Sequence, residues 1–332
     1  MHTSFLVKNL MMCAYFFGGF TMKKIKMTTK ETLTFKEGCN LYLDNCRQRN
    51  LRQGTINHYK QSYTQFYKYF NPEMPIEEMT KTKYNDYVVY LTETLNNDVS
   101  VNAYLRDLIT TLHFLMDEGY LERFKMQAIK VDKTAVETYT EEELAKLLKK
   151  PDIKKCSFAE YQSWVMTCFL FSTGVRQRSL NNIKISDIDF DNKFITLRVT
   201  KNRKILVIPM ENGLKNILTE YLKYRQHKNT DEYLFTNIYG QQLTKSTGYH
   251  RLYEYNKARG VETTGLHRYR HTFAKQWILN GGNVVTLSTL LGHSSLQITQ
   301  NYINLLVTDV SKQVEDICLL DKFSGKQRIK MR

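Results

Sequence analysis

Ile56, Tyr59, Tyr63, Phe66 and Phe70 recur at spacings of three and four, and only an α-helix turns residues so spaced onto one face. That stripe is an apolar face in need of partners. A second one, Val101, Leu105, Leu108, Leu112 and Leu115, begins near Ser100 and runs up to Gly119, a C-terminal stop. Read this way, residues 32–120 form a small bundle of four helices, with Lys60 and Lys68 on the outer face of the second. The chain can sustain such a core. Of its 332 residues 42% are hydrophobic and only four are proline, which excludes a mainly disordered protein, and the length suits two domains.

Residues 121–138 lose the periodicity and gather Lys125, Lys130 and Lys133, which predicts a basic, extended linker. Thr140-Glu141-Glu142-Glu143 then forms a capping box ahead of Leu144, Leu147 and Leu148 and opens a second domain over 139–320. Within it, β-branched runs at Phe194–Val199 and Ile205–Pro209 flank the turn Lys201-Asn202-Arg203-Lys204, a hairpin pattern. Helical spacing resumes over Leu214–Tyr224, Ser246–Lys257, His267–Leu279, Val284–Leu291 and Leu296–Ile303. The fold class is mainly α with a small β-sheet, ending in a basic tail at 321–332.

The 48 Lys and Arg against 33 Asp and Glu leave a formal charge of +15, an excess that suits a polyanion such as nucleic acid. Six cysteines show no CxxC pair and no ligand spacing, which argues for reduced thiols in the cytoplasm and against a zinc site. Residues 1–31 hold an apolar run from Phe5 to Phe20 whose charges come mainly after it, with no A-x-A-like cleavage site. That pattern disfavours an export signal and leaves a translation start at Met22 or Met27, or a short arm.

Four separated elements carry chemistry: Thr173-Gly174-Val175-Arg176; the turn lysine Lys201; His267-Arg268-Tyr269-Arg270-His271; and Gly292-His293 followed nine residues later by Tyr302. Each alone is ordinary. In this order and spacing they resemble the tyrosine recombinases, the phage-integrase family of site-specific DNA recombinases. The resemblance covers about Tyr139 to Leu320, while residues 32–120 match the family's core-binding, SAM-like helical domain only in size, helix count and position. It implies a catalytic set of Arg176, Lys201, His267, Arg270, His293 and Tyr302, with Lys60, Lys68, Lys125, Lys130, Lys133, Arg203 and Lys204 as DNA contacts. It also implies duplex DNA at two recombination sites and a homotetramer on DNA docked through its C-terminal helix, where Val310, Val314 and Ile317 make an apolar stripe. Accessory excision or bending factors can join such an assembly. One departure is visible: Ser179 stands where the family often has an acidic residue, so Arg176 is expected to be held less firmly.

These residue types suit a phosphodiester. Two guanidiniums can clamp the non-bridging oxygens and stay charged at any working pH. Tyr302 needs a base, for which His267 is the natural candidate, and the leaving 5′ oxygen needs an acid, Lys201, while His293 would donate a supporting hydrogen bond. No cofactor is called for, since the chain has neither a GxxxxGK[ST] loop nor an aspartate-rich metal constellation, and a phosphotyrosine conserves the energy needed for rejoining. The expected function is strand exchange through a 3′-phosphotyrosyl intermediate, for integration or excision of a mobile element. The rival readings are an Xer-like chromosome-dimer resolvase, a non-catalytic DNA-binding protein of the same fold, and a type IB topoisomerase-like enzyme.

Overall fold

The computed structural model describes residues 33–131, 137–262 and 265–293, together with 295, 297 and 299. The arm at 1–31, Lys133, Tyr302, the helix expected at 296–303 as a whole, the stripe Val310, Val314 and Ile317, and the tail lie outside them. The chain divides into two compact units between Lys133 and Thr134.

The first unit holds α1 (Phe35–Gln48), α2 (Gln53–Phe66), α3 (Lys81–Thr94) and α4 (Asp98–Asp117). The capping residues explain the starts. Thr34 closes a capping box with Glu37, Thr80 accepts from the Lys83 amide, and Asn97 accepts from Val99 and Ser100. All five leucine-stripe residues of α4 are fully buried, each worth about 1.5–3 kcal/mol of apolar transfer at most. Ile56, Tyr63 and Phe66 of α2 join them, and Phe70 is buried too although α2 has already ended at Phe66. Between α2 and α4 the carboxylate of Asp107, only 8% exposed, accepts from Ser62 and pairs with His58 at 2.9 Å.

Residues 121–131 are extended, but they are not a solvated linker. Leu121 is buried, and Phe124, Met126, Ala128 and Ile129 pack on the core of the helical unit. Lys125 and Lys130 stay exposed. The missing helical period has a structural reason: residues 124–128 turn alternate side chains inward, the pattern of an extended chain lying on a surface.

The second unit is built around α6 (Phe158–Thr173), eleven of whose sixteen residues are buried. A helix enclosed on this many sides leaves little amphipathic pattern. Against it pack α5 (Glu141–Leu148), α8 (Asn212–Tyr224), α9 (Lys245–Ala258) and α10 (Leu266–Leu279). The short helices α7 (Gln177–Leu180) and α11 (Val284–Leu290) complete the helical set described. The expected hairpin is present but belongs to a three-stranded antiparallel sheet, β1 (Ile188–Asp189), β2 (Phe194–Leu197) and β3 (Leu206–Pro209), in that order. Ile195 pairs with Ile208 and Leu197 with Leu206. The two-residue β1 is too short to carry an alternating pattern of its own. Among the described residues no helix is long and apolar enough to cross a membrane.

Candidate active site

The site forms where three chain turns meet, and a glycine governs the first. α6 ends at Gly174 in the left-handed region, φ 59°, and a Cβ there would fall 2.5 Å from Phe273 Cδ1 and 2.9 Å from Leu291 Cδ2. Only glycine meets both demands. The sharp turn sets Arg176 as the residue before α7. Its guanidinium donates to the Leu291 carbonyl at 3.5 Å. Arg270, on the middle of α10 and 4% exposed, donates to Gly174 O at 3.0 Å and to the same Leu291 O at 2.8 Å.

Leu291 follows the last turn of α11, where carbonyls have no intrahelical donor, and there they anchor both arginines. The next residue, Gly292, has φ 59°, and a Cβ on it would come within 3.0 Å of Leu206 of β3. The hairpin turn therefore lies close, and the Asn202 side chain donates to Gly292 O at 3.4 Å.

His293 completes the cluster with a defined tautomer. Its Nε2 lies 2.7 Å from Arg270 Nη2 and its Nδ1 lies 2.7 Å from the hydroxyl of the fully buried Thr299. A guanidinium only donates, so Nε2 accepts and the ring proton sits on Nδ1, facing Thr299. The sequence expectation was a supporting hydrogen-bond donor. In this structure the ring orients Arg270 through Nε2.

Electrostatics keep the imidazoles neutral. His267, at the exposed start of α10, is held below the ordinary histidine range by desolvation first, then by Arg270, Arg176, Lys201 and Lys245. His293 is pushed down to about 4 by burial and then by Arg270 and Arg176. His271, with its ring 6.3 Å from that of His267, also falls to about 4, through burial, His267 and Arg270. A ring so depressed is neutral near neutral pH and keeps a lone pair free to take a proton, as a weaker base than an ordinary imidazole.

Arg176, Arg270 and His293 line one cleft of about 380 Å³ with Ser179, Thr200, Asn202 and Lys204. Among the described residues no carboxylate lines it. Lys201 is exposed on the hairpin turn, and its charge reaches His267. Arg203 lies beside it with φ 59°, a left-handed conformation rarely taken by a side chain of this size. On the other unit Lys60 is exposed on α2, as expected, while Lys68 is exposed but lies past the end of that helix at Phe66. The structure adds Asn202, Thr299 and Lys245, which no motif announces: two act through loop carbonyls or a neighbouring ring, and Lys245 acts through space. Among the described residues no three His, Cys, Asp or Glu side chains gather as metal ligands.

The Phage integrase family profile matches residues 137–308, more than half the chain, and that of the Phage integrase SAM-like domain matches 34–131. Tyrosine recombinase XerA of Pyrococcus furiosus is 29% identical over 282 residues, which is 77% of this chain and 95% of the relative. Among solved structures, the integrase of transposon Tn1549 in complex with a circular intermediate DNA superposes with TM-score 0.65 at 21% identity, covering 83% of this chain and 99% of that one. A lambda integrase dimer bound to a core site gives 0.66 at 18%, covering 80% and 97%. At such identity these two likenesses establish the fold. With the family match over both units and the arginine and histidine cluster in place, the chain belongs to the phage integrase family, the tyrosine recombinases.

Proposed function

We propose that this recombinase cuts and rejoins duplex DNA by direct transfer of a phosphodiester to Tyr302, with no metal ion or nucleotide in the chemical step. The observation that carries the reading is the cleft itself: Arg176, Arg270 and Lys204 line it, with no carboxylate among the described residues. Gathered cations raise one another's electrostatic energy, and a bound phosphate relieves it.

In the cleavage step a bond forms between the Tyr302 oxygen and phosphorus while the bond to the 5′ oxygen breaks. The tyrosine proton passes to His267, and the Lys201 ammonium supplies one to the leaving oxygen. Arg176 and Arg270 hold the non-bridging oxygens, and His293 keeps Arg270 aligned. Lys60, Lys68, Lys125, Lys130, Lys133, Arg203 and Lys204 contact the DNA backbone. Two duplexes are joined by a homotetramer, with docking through the segment that carries Val310, Val314 and Ile317, and the reaction takes place in the cytoplasm. The DNA complexes among the structural neighbours support a DNA partner.

A nicked suicide substrate tests the chemistry. Wild-type protein is expected to form a denaturant-resistant adduct at the same rate with and without EDTA. A strict need for Mg²⁺ would sink the proposal. Plasmids with and without candidate sites taken from the DNA flanking the gene separate recombination from relaxation alone, and sites on a mobile element from chromosomal ones.

A further inference from the structure

We propose that Ser179 is a positioning residue for Lys201, a role that rests on the lysine being the acid of the cleavage step. The β2–β3 ladder stops at the pair Leu197 and Leu206, so the Val199 carbonyl, two residues before Lys201, has no partner in that ladder. The hydroxyl of Ser179, 7% exposed, donates to it at 2.9 Å. Beyond that point the turn is closed by Thr200 donating to Lys204 O at 2.6 Å and tethered across the cleft by Asn202 on Gly292 O. The serine thus grips the base of the loop that presents the lysine.

The support behind the grip is firm. α7 carries Arg176 at its head and Ser179 on its body. Its flank is tied to the start of α9: Gln177 donates to Lys245 O at 2.7 Å, Asn181 donates to Thr244 O at 3.1 Å, and a Cβ on Gly248 would come to 3.0 Å from the Asn181 amide. One short helix therefore fixes the phosphate-holding arginine and, through a single hydrogen bond, the acid loop. An acidic side chain at 179 would present two acceptors to a carbonyl and could not make this bond. The departure from the family pattern is, in this chain, a different way of holding the site together.

The test uses leaving-group chemistry. A scissile 5′-bridging phosphorothiolate releases a thiolate, which departs without a proton, so it no longer needs the acid. In single-turnover cleavage at saturating protein, Ser179→Ala is expected to slow the ordinary phosphodiester by about tenfold, less than the roughly 10²–10⁴-fold cost of losing an acid outright, and to cut the sulfur substrate at the wild-type rate. That rate also certifies that the variant is folded and binds. Lys201→Ala should be rescued in the same way, whereas Arg176→Ala should be slow on both substrates. Equal slowing of both by Ser179→Ala, or of neither, overturns the inference while leaving the acid in place. If sulfur fails to rescue Lys201→Ala, the acid assignment itself falls and Ser179 with it.

Discussion

In residues 33–131 the buried carboxylate of Asp107 holds two helices together through Ser62 and His58, whereas in residues 137–299 the buried guanidinium of Arg270 is held by two carbonyls and a histidine at the wall of a cleft. Both are polar groups buried with partners. They differ in where the partners come from. Asp107 is satisfied by side chains one turn apart on a neighbouring helix, so it ties that packing and nothing more. Arg270 is satisfied by backbone at two helix ends, which leaves the planar cation anchored where a ligand can approach. A buried charge becomes a site when loops, rather than a second helix face, complete its shell.

The contrast is open to mutation, and the largest effect should come from the proposed nucleophile. Tyr302→Phe is expected to abolish the covalent adduct while binding to the intact site stays near wild type. An adduct formed by the variant would remove Tyr302 as nucleophile.

Next come the arginines. Arg270→Ala and Arg176→Ala should each slow cleavage by about a hundredfold or more. Arg270→Ala should in addition lower unfolding stability by about 1–3 kcal/mol, because the Gly174 carbonyl loses this donor and the Leu291 carbonyl is left with the longer bond from Arg176. In the helical unit, Asp107→Ala should cost stability of similar size and leave the cleavage rate of the bound complex unchanged. A large loss of that rate would erase the distinction between the two buried groups.

Gly174→Ala should destabilise by about 1–3 kcal/mol, through overpacking against Phe273 and Leu291 and the left-handed backbone; denaturant unfolding measures it. The pH dependence follows from the histidines. Because His267 is held below its ordinary value of 6.5, the cleavage rate should stay level as pH falls through 6.5 and drop only below it. His271 and His293 bind protons in the folded state only near pH 4 but near 6.5 when unfolded, so stability should be full above 6.5 and decline as pH falls toward 4. A rate falling above pH 6.5 would contradict the depressed value. Smallest of all, Lys60→Ala or Lys68→Ala should weaken DNA binding only modestly and reduce the salt slope by about one each, read by titration at several ionic strengths.

The helical unit was legible in the sequence because its helices are amphipathic: Val101, Leu105, Leu108, Leu112 and Leu115 announce both their helix and their burial, and Thr34, Thr80 and Asn97 cap as such residues do. In the second unit Thr-Gly-Val-Arg, His-x-x-Arg and Gly-His, each an ordinary string, could be picked out together by their order and spacing. Their meeting could not. Position 179 shows the limit, for a serine read as a missing acid turns out to hold the Val199 carbonyl.

Residue type and spacing alone determined the amphipathic helices, the hairpin and the identity of the cations, because these depend on periods of two and four residues within a segment, whereas the enclosed α6 carries no such period. The tertiary structure decided which nitrogen of His293 carries the proton, which carbonyls anchor Arg176 and Arg270, and why residues 121–131 lie on a core instead of in solvent. Those outcomes depend on atoms brought together from as far as 115 residues apart in the chain, as Arg176 and Leu291 are, and no local pattern records a contact whose partner is a backbone group common to every residue.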